Sequence, residues 1–203
     1  ILFIFLPALI FESSFSADWY IFKMQLFKSL IMAGPLLMCC IFTTALAMYY
    51  VLDYQSEMSW ASCVMFGAIV SATDPVAVVA LLKELGASPK MATLIEAESI
   101  LNDGTAMVVF LIVIEMVKGA EVTGGEIVVK FIRLSGGGPI FGFAVAIILT
   151  FWLSGIHNQP VLETNLTICF AYLTFFLCET YLEFSGILAI CVLGLYMTGF
   201  GKS

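Results

Sequence analysis

Apolar residues fall into long blocks along this chain, separated by short polar or Gly/Pro stretches. The blocks cover 1–12, 28–52, 60–84, 91–117, 127–155, 161–181 and 184–200, the first being short because the chain begins within it. The separators stand out at Asp53-Tyr54-Gln55-Ser56-Glu57, Gly86-Ala87-Ser88-Pro89, Gly119 to Gly125 and His157-Asn158-Gln159-Pro160. A helix needs about 20 apolar residues to cross the hydrocarbon of a bilayer, so blocks of this length read as membrane spans, about seven of them. The fifth block holds Ser135-Gly136-Gly137-Gly138-Pro139 and is read as one span with an amphipathic lead-in. The expected fold class is an all-α polytopic membrane protein with a broken, unwound transmembrane helix.

Composition agrees with that pattern. Of 203 residues, 62% are hydrophobic and 11% charged, with a mean hydropathy of +1.08. A soluble domain carries about 25% charged residues, because its outside must face water. The formal net charge of −7, from 8 basic and 15 acidic residues, argues against nucleic acid as a partner, which needs clustered Lys and Arg. Cys39, Cys40, Cys63, Cys169, Cys178 and Cys191 lie in apolar stretches without CxxC spacing, so they are expected to be small buried side chains rather than a zinc site or disulfide framework. If the 83–90 loop is cytoplasmic, alternation puts Lys23, Lys28, Lys83, Lys90 and Lys202 inside and Lys118, Lys130 and Arg133 outside. Asn165-Leu166-Thr167 matches a glycosylation acceptor but falls at a span mouth on the cytoplasmic side in this orientation, and is expected to be unused. The chain starts inside an apolar run without an initiator methionine, and is expected to be a piece of something longer.

Burying a carboxylate in a span costs at least ~2.5 kcal/mol, so the position of each acid is informative. Asp18, Asp53, Glu57, Glu84, Glu121, Glu126, Glu163 and Glu183 sit at span ends or in loops. Glu115 and Glu179 lie nearer the ends of their spans, where snorkelling to the interface accounts for them. Glu12, Asp74, Glu98 and Asp103 have no such explanation, and Glu96 sits beside this group.

Asp74 precedes Pro75 near the middle of the 60–84 block. Proline removes a backbone N–H and disfavours helix at the residue before it, so the helix is predicted to be interrupted at Thr73-Asp74. Freed carbonyls are tolerated in hydrocarbon where they line a cavity or bind an ion; the alternative is an ordinary proline kink with Asp74 bound to a neighbouring helix. The next block carries Glu98-Ser99-Ile100-Leu101-Asn102-Asp103-Gly104. Residues four apart share a helix face, which stacks Ser99 with Asp103 and Glu98 with Asn102. Oxygen groups of this kind suit a small hard cation or a proton; the alternative is a polar network tying helices together.

These residues resemble the monovalent cation:proton antiporter family, in its electroneutral sodium/proton exchanger branch. The resemblance rests on Leu6-Pro7-Ala8-Leu9-Ile10-Phe11-Glu12, Ala72-Thr73-Asp74-Pro75-Val76-Ala77-Val78, Leu85-Gly86-Ala87-Ser88, Glu98 to Gly104 and Ser185-Gly186-Ile187-Leu188-Ala189. The stretch 71–105 is most similar to the plasma-membrane antiporters of plant salt tolerance and related animal exchangers. The resemblance implies that Asp103 is the transporting carboxylate, binding sodium and proton in turn. It implies that Asn102 marks an electroneutral member, and that Asp74 sits where unwound helices cross. Thr73 then offers its backbone carbonyl, Ser99 and Glu12 are further cation ligands, and Glu98 pairs with an arginine on a later helix. Sodium is thus expected at Asp103, Asp74, Ser99 and Thr73. The chain 1–203 is expected to be part of an exchanger's transmembrane domain, with 60–84 and 91–117 as its ion-site helices and the remainder outside this chain.

The expected function is secondary antiport of Na+, with Li+ and K+ as further candidates, for H+. Stoichiometry is 1:1, by competition at Asp103 with alternating access, and the role is in sodium and pH homeostasis. The expected partners are monovalent cations, protons, the lipid bilayer and a second copy in a homodimer, at the plasma membrane; no cofactor is expected. A cation channel, or a non-transporting sensor module on the same fold, is the alternative, although no filter-like loop is evident. An enzyme is not expected: the single histidine, His157, lies in a loop without a serine or cysteine nucleophile near it in sequence.

Overall fold

The computed structural model describes residues 2–54, 58–73, 75–119, 124–156 and 159–200. Asp74, His157 and Lys202 lie outside these ranges. Among the described residues the regular elements are helices: α1 (Leu2–Ser16), α2 (Trp19–Ile31), α3 (Leu37–Leu46), α4 (Trp60–Ser71), α5 (Val76–Glu84), α6 (Pro89–Val117), α7 (Gly124–Leu153), α8 (Pro160–Leu177) and α9 (Gly186–Phe200). Five-residue π turns follow α2 at Met32–Leu36, α3 at Ala47–Val51 and α8 at Cys178–Leu182. Four helices are long and apolar enough to cross a membrane, at Trp19–Val51, Lys90–Val117, Gly124–Leu153 and Pro160–Leu182; shorter apolar helices occupy Ile4–Ser16, Trp60–Ser71 and Gly186–Phe200. These seven helices follow the seven apolar blocks.

Two boundaries differ from the hydropathy reading. The second span begins at Trp19 rather than at residue 28, because Asp18 caps it: the backbone N–H groups of Tyr20 and Ile21 donate to Asp18 Oδ1 at 2.9 and 3.2 Å. Lys23 and Lys28 therefore stand on the helix and not in a loop. The first helix likewise runs on to Ser16. The Gly-rich stretch before Pro139 is continuous α-helix, as expected for one span.

The chain divides into two compact units, Ile1–Met24 with Leu134–Ser203, and Gln25–Arg133. In the first, α1 packs on α8 and α9, and Phe11 joins Ala146, Leu149, Leu193 and Met197 in a core. Small residues bring the backbones together: a Cβ added at Gly142 would run into the Ala189 carbonyl oxygen. Gly138, Gly142 and Ala146, spaced four apart and all buried, form the kind of small-residue seam by which membrane helices pack without hydrophobic drive. Glu179 does not snorkel: its Oε1 accepts the Gly186 N–H at 3.0 Å and caps the start of α9.

In the second unit α4 packs on α3 and α6. Leu37, Ile41 and Ala45 of α3, Cys63, Val64 and Ala68 of α4, and Ala106, Val109 and Val113 of α6 make its core. Glu115 near the end of α6 pairs with Lys130 of α7, so this acid is held by a cation rather than by the interface alone. Hydroxyls in both units return to their own helices, as in Ser14 to Ile10 O at 2.7 Å and Thr105 to Leu101 O at 2.9 Å. With no water at hand in hydrocarbon, a carbonyl four residues back is the nearest acceptor. All six cysteines are free, Cys63, Cys178 and Cys191 buried and the other three exposed.

Candidate functional site

Helix α4 stops at Ser71. Ala72 is already extended at φ −75°, ψ 109°, and α5 restarts after Pro75, whose carbonyl accepts the Val79 N–H at 2.8 Å. The interruption predicted at Thr73-Asp74 is therefore a true break, one half-helix ending at Ser71 and the next beginning at Val76. Such ends carry partial negative and positive charge respectively, and their unpaired carbonyls and N–H groups are available to an ion.

A hydrogen bond ties the break to α6: Ser99 Oγ donates to the Thr73 carbonyl oxygen at 3.0 Å. Ser99 is buried, at 8% exposure. Because its proton is directed to Thr73, its oxygen keeps lone pairs free, and the Thr73 carbonyl keeps its second. Two oxygens 3.0 Å apart can share one hard cation, for which oxygen distances are about 2.3–2.6 Å in calcium sites. Asp103 stands one helical turn beyond Ser99 on α6, half-buried.

Glu98 and Asn102, also one turn apart, are bonded as their spacing predicts: Asn102 Nδ2 donates to Glu98 Oε1 at 2.8 Å. Asn102 Oδ1 is buried and has no hydrogen-bond partner among the described residues. An unpaired buried acceptor costs about 1–3 kcal/mol, so its presence in a span is unexplained by packing alone.

The second unit thus brings together Thr73, Ser99, Glu98, Asn102 and Asp103. Asp74 lies outside the described residues, so its predicted place at the break has no geometry to report. Glu12 belongs to the first unit, on α1. There it lines a cavity of about 610 Å³ together with Glu163, Thr164, Thr167 and Tyr172 of α8. Glu163 is a polar neighbour that the sequence reading set aside as a span-end acid. The signal for it was its helical spacing to Thr167, which places both on one face of α8.

The family model for the transmembrane region of the sodium/hydrogen exchangers matches residues 1–203. The chain belongs to the sodium/hydrogen exchanger family. It is 38% identical over 200 residues to sodium/hydrogen exchanger 7 of Arabidopsis thaliana, covering 98% of this chain and 17% of that protein. It is 35% identical over 200 residues to the low-affinity Na+/H+ antiporter NhaS1 of Synechocystis, covering 98% of this chain and 37% of that protein. The fold matches that of the sodium proton antiporter MjNhaP1 from Methanocaldococcus jannaschii with a TM-score of 0.77 and 20% identity, covering 95% of this chain and 47% of that one. The chain therefore spans less than half the length of each of these three relatives. Family and apolar helices together make it part of an integral membrane protein.

Proposed function

We propose that the protein to which this chain belongs exchanges Na+ for H+ across a membrane, with Asp103 holding sodium and proton in alternation. The observation that carries this reading is the Ser99 to Thr73 contact at the helix break, one turn from Asp103. It gathers a main-chain carbonyl, a hydroxyl and a carboxylate, all hard oxygen donors, where a broken helix leaves dipole ends unpaired. The family supports it, since relatives on both the plant and cyanobacterial sides carry the names of sodium/proton exchangers.

In this reading Thr73, Ser99, Asp74 and Asp103 bind sodium, and Glu12 is a further ligand. A carboxylate that accepts either ion but not both couples the two fluxes when the site faces one side at a time. Asn102, neutral where a second carboxylate would add charge, makes the cycle 1:1 and electroneutral. The remainder of the transport domain lies outside this chain, and the assembled protein is a homodimer at the plasma membrane. Reconstitution of the full-length protein in liposomes under an imposed sodium gradient tests the reading. Asp103→Asn abolishes sodium-driven proton flux; flux persisting in that variant refutes the assignment. A transport current that follows membrane potential refutes electroneutrality separately.

A further inference from the structure

We propose that the corner joining α8 to α9 is a splint that keeps α7 straight at its weakest point, and that Glu179 is the positioning residue that holds the splint in shape. The weak point is Ser135-Gly136-Gly137-Gly138-Pro139. Glycine is the poorest helix former after proline, and Pro139 has no N–H to give to the Ser135 carbonyl four residues back. Kinks in long helices gather at such residues, yet α7 is helical from Gly124 to Leu153. The stretch also lies where the chain passes between the compact units, Arg133 ending the second and Leu134 resuming the first. A bend here would be a bend in a helix that both units share.

The corner meets α7 over that stretch. Ser185, fully buried, donates its N–H to Leu134 O at 3.3 Å. The Phe184 ring occupies the place where Gly137 would carry a Cβ, and the Ser185 carbonyl that of Gly138. The shape of the corner itself needs support, because Glu183 is left-handed at φ 53°, a conformation that costs any residue with a Cβ. Two bonds supply it. Phe184 N–H donates to Cys178 O at 3.0 Å, and Glu179 Oε1 accepts the Gly186 N–H at 3.0 Å. The second bond reaches across the corner to the residue next to Ser185, and a carboxylate there also suits the positive end of the α9 dipole. Capping α9 asks for that bond alone; the contacts of Phe184 and Ser185 with α7 give it a second use.

The test uses the full-length protein with two spin labels on α7, carried by non-natural amino acids in place of the exposed Val128 and Phe151, about 35 Å apart on a straight helix. Glu179→Ala is expected to shorten and broaden that distance. A second reading, sodium-driven proton flux in proteoliposomes, rests on the antiporter function proposed above: turnover falls about tenfold (~1.4 kcal/mol) with the sodium KM unchanged, because the splint bears on movement and not on the ion ligands. Pro139→Ala restores the missing N–H and lets α7 stand unaided. Alone it behaves like wild type, and added to Glu179→Ala it returns both readings to wild type. An unchanged distance in Glu179→Ala overturns the proposal, as does a double variant that stays bent, which would mean that the acid serves α9 only. If Glu179→Ala does not reach the membrane, Phe184→Ala decides, since it bares Gly137 and leaves the cap in place: a distance like that of wild type overturns the proposal. A wild type that moves no sodium sinks the antiporter reading, and the distance still judges the splint; full turnover in a bent variant overturns its part in exchange.

Discussion

Thr73-Asp74-Pro75 and Gly137-Gly138-Pro139 both set a proline behind small or polar residues inside an apolar block, and they fold differently. Between Ser71 and Val76 the helix stops and restarts. Between Ser135 and Pro139 it runs through without interruption. The difference lies in what meets the backbone near each proline. At the first stretch the Thr73 carbonyl is met by the hydroxyl of Ser99, on another helix. At the second, Ser185 N–H donates to Leu134 O at 3.3 Å, and Gly138 and Gly142 lie against the carbonyls of Ser185 and Ala189. At Pro75 the helix breaks; at Pro139, packed closely on a neighbouring backbone, it does not.

The largest effect that would break this comparison is expected at Gly142. Gly142→Leu forces a side chain into the Ala189 carbonyl and should cost about 3 kcal/mol or more, read as loss of monodisperse protein in detergent chromatography. Pro75→Ala comes next: with the N–H restored, the helix can close through the break, and exchange should fall at least about tenfold (~1.4 kcal/mol of transition-state or binding energy) while thermal stability holds or rises. Pro139→Ala is the control, and exchange like that of wild type is the expected result. Ser99→Ala removes the donor to Thr73 and should lower stability by about 1 kcal/mol, with a raised sodium KM in the flux assay. The smallest effect is at the Glu115–Lys130 pair, where Lys130→Ala should cost about 0.5 kcal/mol, since half-exposed ion pairs contribute little; a larger loss in a melting experiment would mean that α6 and α7 depend on it.

Much of the fold was legible because lipid imposes length and composition on each span, and the break was legible because proline acts locally. Asp18 was the missed boundary: an acid beside apolar residues looks like a loop to hydropathy, whereas Asp18 followed by Trp19, Tyr20 and Ile21 is an N-cap pattern. The Glu98 to Asn102 bond was legible from spacing. The Ser99 to Thr73 contact followed from no local rule, since it joins residues 26 apart, one in the break and one on α6; the family resemblance alone put both at one ion. Glu179 was read as snorkelling, because the N–H it caps lies beyond the hairpin at Gly186 and only the return of the chain brings the two together.

The π turn at Met32–Leu36 acts as a phase correction. Ser29, Ala33, Leu37, Ile41 and Ala45 are all buried, at exposures from 0 to 4%, and they recur every four residues. On an ideal α-helix a four-residue repeat slips about 40° per step, so five such positions would wind nearly half-way round the cylinder, out of any contact they share. A π turn holds one residue more than the α turn it replaces, which takes back about 100° of that slip. Removing one residue from Met32–Leu36 would therefore turn the π turn into an α turn and leave the packing before and after it in step, making this the place in the span where the chain can change length by one residue without moving its contacts.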